Sequence, residues 1–179
     1  MFNSEIVIAS VMALKRTSSS IAISFRVETS AADTYTQGQI DLSLSPLDNE
    51  VFVVEAIDLD VAPPTALAAT DTSVTGSLST TSLAAVGALD NTNVLARKEV
   101  AIRAAGFADG GVGFETGSIE SPPTQLEWIG VIATNDFFIQ IDSTATGIVR
   151  SLTGKLYGYR AKADAATYAA LVQSEVLSA

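Results

Sequence analysis

Cysteine and histidine are both absent from the 179 residues. Without cysteine there is no disulfide and no thiolate chemistry, and the redox compartment is left open. Without histidine the chain loses the commonest general base, the Ser-His and Cys-His nucleophile pairs, and most zinc sites. Charge is scarce too: 17% of residues carry it, a low share for a free-standing domain, so part of the surface is expected to be covered by other chains. Ten basic residues face twenty acidic ones, a net charge of -10. That balance argues against a phosphate-binding face and hence against direct nucleic-acid binding. No apolar run reaches the roughly 18 residues of a membrane-spanning helix. The apolar stretch at 6–14 has Glu5 before it and Lys15-Arg16 after it, the reverse of a secretory signal. It reads as a strand of the mature protein.

What remains is rich in short β patterns, and 47% hydrophobic residues suit one domain over 1–179. Residues 125–142, QLEWIGVIATNDFFIQID, hold two apolar runs around Thr134-Asn135-Asp136. They read as two strands joined by a tight turn, with Trp128, Phe137 and Phe138 supplying the centre of a core. Residues 20–29 alternate cleanly, with Ile21, Ile23, Phe25 and Val27 on one face. Residues 39–45 repeat the pattern through Ile40, Leu42 and Leu44, and 45–49 supply a turn. Residues 50–61 form a third strand whose phase is interrupted at Glu55. Either both faces are covered near its start, or a bulge shifts the alternation there. Pro63-Pro64 ends it.

Residues 65–93 read as one short strand at 73–80 inside a long excursion. Residues 94–103 alternate again, with Lys98 in phase with Val94, Ala96, Val100 and Ile102. A Gly-rich loop is expected over 107–123. The final strand spans 146–162, with a break suggested near Gly154. A terminal helix follows, capped by Asp164, with Tyr168, Leu171, Val172 and Val176 on one face. About eight strands and a short C-terminal helix predict an all-β, jelly-roll-like β-sandwich.

Candidate chemistry is thin. Gly110, Gly111, Gly113 and Gly117 lack the lysine and the strand-to-helix context of a phosphate loop. Asp58 and Asp60, with Asp48 and Glu50 nearby, could bind calcium through oxygen ligands, but their spacing is not that of a calcium loop. Ser151 and Lys155 share only a commonplace spacing, and twenty acids make some carboxylate pair of glycosidase type inevitable. The sequence therefore predicts no enzyme, no cofactor and no metal.

Charge distribution points to contacts instead. Glu55 and Lys98 sit among apolar neighbours, where an unpaired charge is costly; each is expected either to reach water or to find an opposite charge, in this chain or across a subunit contact. Arg150, Lys155, Arg160 and Lys162 lie in a stretch with no acid between Asp142 and Asp164, whereas no Lys or Arg occurs between Arg26 and Arg97. A basic last strand and an acidic first half could meet between copies, head to tail.

The strand count, the Ala/Thr/Ser-rich excursion, the scarcity of charge, the missing histidine and cysteine and the terminal helix together resemble one family. It is the single jelly-roll major capsid proteins of tailless icosahedral viruses with an internal membrane, those of halophilic archaea included. The resemblance is architectural and carries no functional residue across. It implies a structural virion protein: a self-assembling capsid subunit whose partners are other copies, a second capsid protein, and penton or membrane proteins of the virion. The alternative from the same fold is a carbohydrate-binding or adhesin-type module using Trp128 or the 107–123 loop.

Overall fold

In the strand Ile21–Glu28, Phe25 and Val27 are buried while Ser24, Arg26 and Glu28 face water, and that alternation sets one wall of the core. The structure, a computed structural model, describes residues 14–108, 111–117 and 126–177. Its strands are β1 (Leu14–Arg16), β2 (Ile21–Glu28), β3 (Thr36–Asp41), β4 (Glu50–Val61), β5 (Thr72–Ser79), β6 (Val94–Arg103), β7 (Val112–Gly117), β8 (Gly130–Ile132), β9 (Asp136–Thr144) and β10 (Ser151–Ala163), followed by helix α1 (Ala165–Leu177). The strand expected over residues 6–13 lies outside the described residues.

Two antiparallel sheets face each other. The first runs β2-β10-β4-β8, with β1 continuing the β2 edge along the end of β10; the second runs β3-β9-β5-β6-β7. Leaving β1 and β7 aside, the eight remaining strands follow one rule. The chain crosses between sheets at every connection except β5 to β6, and β10 to β2 closes the roll. This is jelly-roll connectivity, as the sequence predicted. Between the sheets lie Phe52, Leu78, Ile132, Phe137, Ile139, Ile141, Leu152 and Leu156, all essentially sealed from water. Phe25 and Phe137 meet edge to face across the sandwich, ring centroids 5.8 Å apart.

Both readings of residues 50–61 hold. Against β10, Tyr157 pairs with Ala56 and Gly158 with Val54, so Glu55 is the extra residue of a bulge. The bulge brings Phe52 and Val54 onto the same inner face as Ile57, Leu59 and Val61. Val51 and Val53 point outward and are covered by α1. β10 runs unbroken through Gly154. A side chain there would stand 2.3 Å from the Asp58 carbonyl and 2.6 Å from the Phe25 ring, so glycine admits close strand and ring approach rather than a break.

Other expectations need correction as well. The 125–142 segment is not a hairpin: β8 pairs with β4 in the first sheet, and β9 pairs with β3 and β5 in the second. The intervening turn is held by other elements. Asn135 accepts from the Leu42 and Leu44 amides, and the Thr134 amide goes to Glu175. Trp128 is 41% exposed rather than central. Its neighbour Ile129 donates to the Val54 carbonyl and packs on the core, which turns Trp128 outward. Residues 112–117, expected as loop, form β7 at the edge of the second sheet.

Helix α1 begins as predicted. Asp164 accepts from the amides of Ala166 and Thr167, and this holds its carboxyl below the usual range, the Thr167 amide first among the causes. Tyr168, Leu171 and Val172 pack on the first sheet. Val176, expected on that face, is exposed, and Glu175 is buried in its place. The last turn of α1 meets the amides of Ala133 and Thr134, so that position takes an acceptor rather than an apolar group.

Candidate contact surfaces

The charged residues singled out from the sequence are mostly engaged within the chain. Glu55, lifted out by the bulge, accepts from the Ser20 hydroxyl at 2.7 Å and lies 3.8 Å from Arg16, whose guanidinium stacks on Tyr159. Lys98 reaches Glu115 at 2.5 Å on β7. Each therefore has an opposite charge in its own chain, and they are not each other's partners. Arg160 donates to the carbonyls of Leu42 and Ser43 and meets Glu50 at 3.2 Å, while Lys162 reaches Asp48 at 2.9 Å. Arg150 donates to the Thr65 hydroxyl. Lys155 is exposed on the outer face of the first sheet, in register with Ser24 and Asp58. The basic strand and the acidic first half thus meet inside one molecule, because β10 is the direct neighbour of β4.

The Ser-Lys pair considered from the sequence does not form. Ser151 and Lys155 stand four residues apart on an extended strand, about 13 Å between Cα atoms, too far for a Ser-Lys pair. Gly111 precedes β7, and Gly113 and Gly117 lie in it, so no phosphate loop forms from them. No group of three or more acids among the described residues could hold a metal ion.

The perturbed carboxylates serve the loops. Asp33 accepts from the Thr146 and Gly147 amides, and the first of these chiefly lowers its pKa. Asp71 accepts from Ala105 and Ala104 and is lowered for the same reason, the Ala105 amide first. Asp48 is lowered by its hydrogen bond from Lys162. The Asp33 and Asp71 ties, with Thr65 donating to the Thr146 carbonyl and Ala69 to that of Phe107, bind the four connections at one end of the sandwich into a single rim, whereas Asp48 lies at the opposite end.

That rim presents large apolar side chains to water. Leu67, Phe107, Ile148 and Val149 are 40–53% exposed, and the two acids at their base, Asp33 and Asp71, are committed to backbone amides. A second apolar surface is β7. Val112 and Phe114 are 52% and 50% exposed on its outer face, and Phe114 with Glu99, Ala101, Arg103 and Thr116 edges a groove along β6 and β7. Sequence reading missed this strand. Its only signal is the alternation of Val112, Phe114 and Thr116, diluted by Gly113 and Gly117.

A scan against protein-family models and a search of curated proteins found no match to this chain. The fold and these surfaces are what a functional reading must rest on.

Proposed function

We propose that this protein is a structural, self-assembling shell subunit: a jelly-roll capsid protein whose loop rim and sheet edge meet neighbouring copies. The observation that carries the reading is the rim. Four large apolar side chains stand half exposed on loops that hydrogen bonds hold rigid. Exposed apolar patches on an ordered scaffold mark interaction surfaces, and a rigid rim loses little freedom on docking. The charge pairs within the chain leave apolar contact rather than head-to-tail salt bridging as the main cohesive force. Assembly should therefore survive high ionic strength, where hydrophobic contact persists and surface ion pairs are screened.

Electron microscopy of the purified chain across concentration and salt tests this. Ordered capsomers or shells that persist in salt are expected; monodisperse particles of single-chain size under all conditions would overturn the reading. Trp128, 41% exposed beside the short edge strand β8, favours a second reading as a carbohydrate-binding or adhesin-type module. Quenching of its fluorescence by glycans, from a protein that stays monomeric, would support that reading instead.

A further inference from the structure

We infer that β7 is a two-fold pairing edge, on which a second copy of this chain adds its own β7 antiparallel, joining the two second sheets into one. The inference rests on the reading of the chain as a self-assembling subunit and names one of its contacts. β7 is the last strand of the sheet, and among the described residues nothing pairs with its outer side. All six of its residues are exposed. Exposed edges are normally blunted by lysine, proline, bulges or a covering loop. β7 has no lysine or proline, and its register with β6 is regular from Val112 to Gly117.

The occupant follows from self-complementarity. A two-fold axis normal to the sheet keeps outer face with outer face, so it must pass through a residue. Centred on Phe114, it sets Phe114 against its symmetry mate, Val112 against Thr116, and Gly113 against Glu115. Five of the six strand residues then pair. The aromatic contact is apolar, and Gly113 leaves room for the Glu115 carboxylate that Lys98 already holds. Centring on Glu115 would oppose two carboxylates, and centring on Gly113 shortens the ladder within the strand. Charge agrees: β6 and β7 carry Arg97, Lys98 and Arg103 against Glu99 and Glu115. In a chain of net charge -10, these two strands carry no excess of acid to set one copy against another.

The absence of cysteine makes the test clean, since Phe114→Cys carries a single thiol. Directly opposed residues of an antiparallel pair have Cα atoms about 4.5–5.5 Å apart, within disulfide range. Mild oxidation should yield a disulfide-linked dimer from Phe114→Cys, but not from Leu47→Cys, which is 99% exposed at the other end of the sandwich. Sedimentation velocity should show Phe114→Lys, and independently Thr116→Lys, weakening the two-fold dimer by at least about tenfold, because each sets a cation against an apolar or like-charged partner. Circular dichroism checks that both fold. Shells that form as before with both lysine variants and without the Phe114→Cys cross-link would overturn this inference while leaving the shell-subunit reading standing. A wild-type chain that stays monomeric throughout would remove both.

Discussion

Each sheet has an outer face, and the two faces are covered by opposite means. Over the first sheet, α1 lays Tyr168, Leu171 and Val172 on Val51, Val53, Ala133 and Ala161, an apolar contact of mostly small and β-branched residues. Over the second sheet no helix lies among the described residues. Residues 80–93 fold back across it, and what they meet is polar: Ser77, Ser79 and Gln140 are sealed from water yet each is hydrogen-bonded. Gln140 sits at the hub, accepting from Ser77 at 2.8 Å and donating to Ser79 at 2.7 Å and to Gln37 at 3.2 Å. Gln37 in turn ties down Ser82 and the Leu83 amide. Apolar contact is non-directional and loses stability in proportion to area removed. A buried polar network is worth little when complete and expensive when one member goes, because the partners left behind stay dry and unpaired.

That contrast predicts its own largest test. Gln140→Ala removes three hydrogen bonds, two of them to the buried Ser77 and Ser79 hydroxyls, and opens a cavity beside them, so it should cost about 3 kcal/mol at roughly 1 kcal/mol for each bond lost. Urea unfolding measures it. A loss below about 1 kcal/mol would mean water replaces the glutamine and that the polar roof is not the brittle one. The matched deletion under the helix is Val53→Ala, which removes fully buried methyl groups and should cost about 2 kcal/mol. Its signature is local. Amide exchange should accelerate in Ala165–Leu177 before the sandwich opens, whereas Gln140→Ala should loosen residues 80–93 and leave α1 protected.

These two roofs also explain what the sequence could reveal. The helix was legible because Asp164 marks its start and Tyr168, Leu171 and Val172 recur at helical spacing. The apolar residues on both faces at the start of residues 50–61 left two readings, a covered second face or a bulge, and the sequence did not say which way Val51 and Val53 point. The 80–93 roof was illegible: Ser, Thr and Ala at those positions carry no period, and a serine destined for burial looks like one destined for water. The 125–142 segment misled for a related reason. Asn135 is a good turn former, but local propensity does not say whether the chain turns within one sheet or crosses to the other; the bonds that decide it run to Leu42, Leu44 and Glu175, far off in sequence. Of the contact surfaces, the charged candidates could be picked out but not their partners, since pairing across β4 and β10 depends on topology. The exposed positions of Phe107, Ile148 and Phe114 could not be told from core positions by residue type.

The smallest expected effect sharpens the comparison through pH, because the helical roof has a titrating group at each end. Asp164 at its start is held ionised by amide donors. The stability it lends is therefore present above its ordinary pKa and is lost as pH falls through the lowered folded value. Glu175 near its end has the opposite sign. Burial raises its pKa more than the Ala133 and Thr134 amides lower it, so its contribution is full below its ordinary pKa and declines as pH rises through the raised one. Helix docking should be firmest in the interval where Asp164 is ionised and Glu175 still protonated, with a limb of declining stability on either side. Asp164→Asn should flatten the acid limb alone. Glu175→Gln should flatten the upper limb alone, so that the variant gains on the wild type as pH climbs above the ordinary carboxyl pKa and through the raised one. The network of Gln37, Ser77, Ser79 and Gln140 over the second sheet has no titrating member, and local exchange at the Leu83 and Gly87 amides that it holds should show neither limb. A stability difference between Glu175→Gln and wild type that stays constant with pH would mean that the carboxylate is hydrated in the folded state, and the helical roof would then be as indifferent to protons as the other.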